Sequence, residues 1–171
     1  MQEKEPEKIL ILSGYFDPLH SGHIYYFSES KKLGGRVIVI LNNEGQSRLK
    51  RGYHLIGVDE RKKILESIKF IDEVFVSIDH GPTQCDTLAY LADKYKNKNC
   101  KLYFVKSGEW KEENLKEAPL CQKLGIKIKI LNNAPSASSS SLIKKAVDLE
   151  TSKNSFCFNG AKGKNQKLTT N

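Results

Sequence analysis

Apolar and polar positions along the chain alternate between two rhythms, short continuous apolar runs and longer amphipathic stretches. "KILILS" (8–13) is a run of the first kind and predicts a buried strand ended by Gly14. A helix is predicted from Ser21 to about Leu33, stopped by Gly34 and Gly35. "RVIVIL" (36–41) is a second buried strand, and the glycine-bearing, basic stretch 43–57 reads as a loop. A helix over 58–70 follows, with Asp59 as N-cap and Ile64, Leu65 and Ile68 facing inward. "DEVFVSI" (72–78) predicts a third strand and Thr83 to Tyr95 a helix, its Leu88, Leu91, Ala92 and Tyr95 recurring at helical spacing. "KLYFV" (101–105) is a fourth strand, Glu112–Leu124 a helix closed by Gly125, and 126–131 a fifth strand. The strict alternation of that fifth strand predicts a half-exposed sheet edge. A last helix spans 138–149, with serines suited to capping its start.

Five strands alternating with helices predict an α/β domain, a five-stranded parallel sheet with helices on both faces. Ligands of such sheets bind beyond the carboxyl ends of the strands. The unusual segments of this sequence fall there: "SGYFDPLHSGH" after the first strand, "NNEGQSRLKRG" after the second, "KSGEW" after the fourth and "NNAPSASSSS" after the fifth.

Composition narrows the class. With 171 residues, 39% hydrophobic and 28% charged, the chain suits one globular domain, and its apolar runs are too short to span a membrane. The charged start "MQEKEPEK" lacks a signal-peptide core, so a cytoplasmic location is expected. Cys85, Cys100, Cys121 and Cys157 form no close pair, which predicts free thiols rather than a zinc cluster. Of the 28 Lys and Arg, four (Lys153, Lys162, Lys164, Lys167) lie in an acid-free stretch, leaving 24 basic against 20 acidic residues before it. The composition after residue 150 predicts a domain over 1–150 and a loosely ordered basic tail over 151–171. The small positive excess of the body suits a small anionic ligand better than nucleic acid.

The first loop carries the most chemistry. Gly14 allows a tight exit from the strand, Pro18 fixes the backbone, and Gly22 lets a ligand approach the main chain. His20 and His23, three apart at a helix start, fall on one side, where free N–H groups already favour an anion. Taken alone, the two histidines could equally decorate a turn. A zinc site would need a third ligand, and only Asp17 is close in sequence. Arg48, Lys50 and Arg51 read either as a solvated charge run or as a phosphate clamp. The Ser run reads as a linker or as a phosphate seat with Lys144 one turn further in, and Arg61 as a surface charge or a ligand contact. Trp110 reads as a core or pocket residue.

His20-Ser21-Gly22-His23 inside "GYFDPLHSGHIYYFSESKKLG", followed by "DERKKILESIKFIDEV" and "SSSSLIK", resembles the cytidylyltransferase-like nucleotidyltransferase superfamily over about residues 8–147. The resemblance implies a Rossmann-like fold and transfer of a nucleotidyl group from ATP or CTP to a phosphate, releasing pyrophosphate. Its nearest likenesses are heptose-1-phosphate adenylyltransferase domains and, through the Gly108-Glu109-Trp110 ending, glycerol-3-phosphate cytidylyltransferase. It implies catalytic roles for His20, His23 and Lys50, and nucleotide contacts from Gly14, Tyr15, Phe16, Asp17, Gly22, Arg51, Lys106, Gly108, Glu109, Ser139, Ser140, Ser141 and Lys144. Asn42, Arg48, Arg61 and Trp110 would meet the second substrate, a sugar- or polyol-phosphate. Mg²⁺ is implied mainly on substrate phosphates, with Asp17 its one candidate protein contact, and a homodimer is an expected assembly. Two other classes fit less well. A nucleotide- or RNA-binding module would want an RNA-binding aromatic motif, and a class I aminoacyl-tRNA synthetase fragment would want a "KMSKS" loop.

Overall fold

The computed structural model describes residues 5–108, 110–132 and 138–160, with side chains in the last helix as far as Ser152. Contacts divide the chain into two compact units, Met1–Ser136 and Ala137–Asn171.

The first unit holds β1 (Glu7–Gly14), α1 (Ser21–Lys32), β2 (Arg36–Leu41), α2 (Glu44–Arg51), α3 (Val58–Glu66), β3 (Glu73–Val76), α4 (Cys85–Tyr95), β4 (Cys100–Ser107), a 3₁₀ turn at Glu112–Asn114, α5 (Ala118–Leu124) and β5 (Lys127–Leu131). The five strands run parallel in the order β3-β2-β1-β4-β5. The α/β architecture read from the sequence is the one observed. β1 and β2 lie centrally and are covered on both faces, which is why their sequences are unbroken apolar runs. Leu10, Leu12, Val37 and Val39 pack with Phe27 of α1 and Leu65 of α3. On the opposite face Ile9, Ile11, Ile38, Ile40 and Phe104 pack with Leu88 and Leu91 of α4 and Cys121 of α5. Each fully buried Leu, Ile or Phe contributes about 1.5–3 kcal/mol of transfer free energy to this two-sided core. β5, with its alternating sequence, is an edge strand as expected.

The strand order reverses between β1 and β4. Their carboxyl ends diverge there and open a crevice, the place where ligands bind in such sheets.

Four details differ from the sequence expectation. Residues 44–51 form α2 rather than loop, and α3 is capped by Gly57, with Asp59 inside its first turn. α3 also ends at Glu66, four residues early, where the main chain turns towards β3. The helix expected over 112–124 splits into a 3₁₀ turn and α5, because Pro119 fits the first turn of a helix but breaks an interior.

The second unit consists, among its described residues, of α6 (Ser139–Gly160). Ser138 Oγ accepts the Ser141 N–H at 3.1 Å, so a serine opens the helix as its sequence predicts. α6 runs unbroken through residue 150, where the composition changes, and residues 161–171 lie outside those described.

Candidate anion site at the carboxyl edge of the sheet

The β1–α1 loop is held from beneath by three devices. Phe16 turns back under the end of β1 with φ of 51°, and its ring lies so close that a Cβ on Gly14 would stand 2.7 Å from Phe16 Cζ. Gly14 is therefore required by packing. The Phe16 ring then meets His23 edge-on at 4.9 Å and Phe27 at 5.2 Å. Next comes Asp17, fully buried, whose Oδ2 and Oδ1 accept the N–H groups of Leu55 (2.9 Å) and Ile56 (3.0 Å). The third device is Arg61. Its Nη1 donates to the carbonyls of Tyr15 (2.8 Å) and Asn42 (2.9 Å), and its Nε to that of Ile56 (2.9 Å). Only 1% of Arg61 is exposed, so it is a brace joining three loops and not a surface charge.

On this platform α1 begins with His20 as an extended N-cap residue. The His20 and His23 rings stack with centroids 3.7 Å apart, on one side of the helix as their spacing predicts. His23 Nδ1 accepts the His20 main-chain N–H at 3.3 Å, which leaves the ring proton on Nε2. Burial, the neighbouring imidazole and the Arg51 guanidinium together push the His23 pKa down to about 3, and burial lowers that of His20. Both rings are neutral at pH 7. They offer N–H donors rather than positive charge, and His20 Nδ1 is buried with no partner among the described residues.

The charge comes from α2. Asn43 caps this helix through Gln46 N–H (2.9 Å) and its Nδ2 donates to the carbonyls of Ser77 and Asp79. Gln46 Nε2 donates to the carbonyls of Gly81 and Thr83, so the helix is fastened to the segment after β3. At its far end Lys50 Nζ sits 4.4 Å above the Tyr15 ring and Arg51 donates to the Asp17 carbonyl at 2.6 Å. Burial and the Arg51 charge lower the Lys50 pKa. Arg48 points elsewhere, pairing with Glu44 at 3.3 Å on the exposed side of the helix. Asn43, Gln46 and Asp79, which caps α4 through the Asp86 and Thr87 N–H groups, were not among the sequence candidates. Asn43 and Gln46 did carry a signal, a capping-box spacing with Gly52 closing the helix.

Across the crevice, at the end of β4, Lys106 Nζ donates to Ser13 Oγ at 2.8 Å and lies over the rings of Phe104 (4.6 Å) and Trp110 (5.5 Å). Gly108 follows with φ of 102°, a conformation that favours glycine. Glu109 lies outside the described residues, and Ser139, Ser140, Ser141 and Lys144 belong to the second unit. No three His, Cys, Asp or Glu side chains cluster as metal ligands among the described residues.

Comparison with known proteins bears on family and fold. The family model described as cytidylyltransferase-like matches residues 11–146. The chain belongs to the cytidylyltransferase-like family. It is 30% identical over 139 residues to the bifunctional protein HldE of Blochmanniella pennsylvanica, covering 80% of this chain and 27% of that protein. It is 29% identical over 144 residues to the protein of the same name from Shigella flexneri, covering 83% and 28%. The chain thus spans little more than a quarter of the length of these relatives. Among solved structures, a lipopolysaccharide core biosynthesis protein from Thermoplasma volcanium superposes with a TM-score of 0.55 at 21% identity, over 77% of this chain and 99% of that one. A protein from Archaeoglobus fulgidus superposes with a TM-score of 0.52 at 22% identity, over 76% and 93%. These two likenesses bear on the fold of a cytidylyltransferase-like chain. No described helix is long and apolar enough to cross a membrane.

Proposed function

We propose that this protein is a nucleotidyltransferase acting on a small sugar- or polyol-phosphate, most like the heptose-1-phosphate adenylyltransferases. An oxygen of the acceptor phosphate attacks the α-phosphorus of the nucleoside triphosphate. The new P–O bond forms as the bond to the bridging oxygen breaks, and its electron pair leaves with pyrophosphate. The observation that carries the reading is the stacked His20–His23 pair at the start of α1, with the Arg51 charge within electrostatic reach.

Each group then has a task. His23 Nε2–H and the His20 ring donate to the α- and β/γ-phosphate oxygens, where charge accumulates as pyrophosphate departs. Lys50 and Arg51 neutralise the triphosphate, and Gly22 admits it to the main chain at the helix start. No side-chain nucleophile is required, so rate comes from alignment and charge stabilisation. Mg²⁺ would ride on the substrate phosphates and supply further charge neutralisation there. The two Asp17 oxygens are already engaged by Leu55 and Ile56, which supports a bracing role for that residue. Ser139–Ser141 and Lys144 are assigned to the triphosphate on the family resemblance. A cytoplasmic location follows from the need for nucleoside triphosphate, and a homodimer is the assembly proposed.

A CTP-dependent reading rests on Trp110 after Gly108-Glu109, an ending similar to that of glycerol-3-phosphate cytidylyltransferase. Pyrophosphate release from ATP and from CTP, with a panel of sugar- and polyol-phosphates, tests both readings. His23→Ala is expected to lower kcat about 10²-fold, the scale for losing one preorganised donor. A folded His23→Ala protein with wild-type turnover sinks the proposal.

A further inference from the structure

The crevice between β1 and β4 has two sides. Leu10, Leu12, Phe16 and Phe27 belong to the core on the α1 face, and His20 and His23 stand above them. Ile9 and Ile11 of β1 and Phe104 of β4 face α4 and α5 instead. Strand alternation carries Ser13 and Lys106 to that same face, and their hydrogen bond bridges the two strands where they part.

Lys106 is an ammonium with too few partners. It uses one of three donors, on Ser13 Oγ, and none of the ion pairs among the described residues includes it. Glu117 is within electrostatic reach, and its Oε1 accepts the Gln84 N–H at 3.1 Å. Aromatic faces of Phe104 and Trp110 cushion the charge only in part. Lys106 is partly buried, and the desolvation of its ammonium lowers its pKa, a cost that a bound anion would offset. Lys50 is close enough to lower that pKa further, so a second cation of the site lies within electrostatic reach. Gln84 Oε1 and Ser107 Oγ are also buried and have no partner among the described residues.

We propose that Lys106 and Ser13 form the seat for the acceptor's phosphate monoester, on the α4/α5 side of the crevice and distinct from the triphosphate seat on the α1 side. The seat rests on the nucleotidyltransferase reading above. It places a phosphate dianion on an ammonium that has no ion-pair partner among the described residues, with Lys50 within electrostatic reach. The ligand of the seat is a phosphate monoester, and Lys106 serves the acceptor rather than the nucleotide.

The test uses the full chain and reads thermal shifts, first with Mg²⁺ and the α,β-methylene analogues of ATP and CTP. Inorganic phosphate is then titrated at saturating analogue. Lys106→Met, which keeps the apolar stem between the two rings, is expected to bind the analogue within about twofold of wild type and phosphate at least tenfold more weakly. Lys106→Gln is the second variant should Met disturb folding, and Lys106→Arg should retain phosphate binding. A wild-type protein that holds the analogue but gives no phosphate shift overturns the seat. So does a Lys106→Met protein that loses the analogue and keeps phosphate. If no analogue shifts the wild type, the transferase reading falls, while phosphate binding that depends on Lys106 still upholds the seat.

Discussion

The two sides of the crevice are built in opposite ways. The β1–α1 side is braced at several points: Phe16 fills the space that Gly14 leaves, both Asp17 oxygens are engaged, and Arg61 ties three carbonyls together, while His20 Nδ1 and Arg61 Nη2 are left without partners among the described residues. The β4 side holds Lys106 by one hydrogen bond and two ring faces, followed by Gly108 in a glycine-favoured conformation. A surface that must stabilise charge at one reacting phosphorus gains from being fixed before the substrate arrives. A surface that awaits the charge of its ligand carries an unmet electrostatic cost until then. The difference separates a platform held by many bonds from a cation held by one.

The sharpest way to break this comparison is to remove the brace. Arg61→Met deletes all three donors and leaves the carbonyls of Tyr15, Asn42 and Ile56 without them, in a site only 1% exposed. Buried unsatisfied groups cost about 1–3 kcal/mol each and do not add fully, so a loss of about 3–5 kcal/mol is expected in urea unfolding. A loss below about 1 kcal/mol would show that the platform does not depend on Arg61. Gly14→Ala acts on the same side and more gently. Its methyl would meet the Phe16 ring at 2.7 Å, and pushing that ring aside is expected to cost about 1–3 kcal/mol. Turnover should fall as well, because the ring supports His23 edge-on. An unchanged unfolding midpoint and kcat would remove Phe16 from the platform.

How far this was legible in the sequence follows from the reach of each interaction. The strands and the His20–His23 pair were readable because apolar runs and an i, i+3 spacing are local patterns. α2 was read as loop because basic residues outnumber apolar ones in "EGQSRLKR", and its order depends on Asn43 and Gln46 bonding to residues 77–83, more than 30 positions away. Arg61 was ambiguous for the same reason. Its carbonyl partners lie 5, 19 and 46 residues off, and no window of sequence contains them together. Lys106 was recognisable as a loop-end lysine, but its bond to Ser13, and its lack of an ion-pair partner among the described residues, emerge only when β1 and β4 are set side by side.

The comparison is sharpened most finely by pH. Folding lowers the pKa of His23 from 6.5 to about 3, so between these values the unfolded chain binds a proton that the folded one refuses. Stability therefore falls as pH drops below about 6.5, by at most about 1.4 kcal/mol per pH unit from this group, and His20 acts in the same direction. The melting temperature of the free protein should decline between pH 7.5 and pH 5, and that of His23→Asn should decline less. Bound triphosphate favours the protonated rings, so saturating Mg²⁺–nucleotide should flatten the decline in the wild type and leave the variant little changed. Equal slopes for wild type and His23→Asn would mean that the buried imidazole is not what the acid titrates. Lys106 obeys the same linkage at the other end of the scale, since its lowered pKa makes the partly buried charge a cost at neutral pH. Lys106→Met should then melt no lower than wild type at pH 7 without ligand, whereas Arg61→Met melts far lower. That contrast is the expected signature of one side that the protein braces itself and another whose charge it leaves to the acceptor.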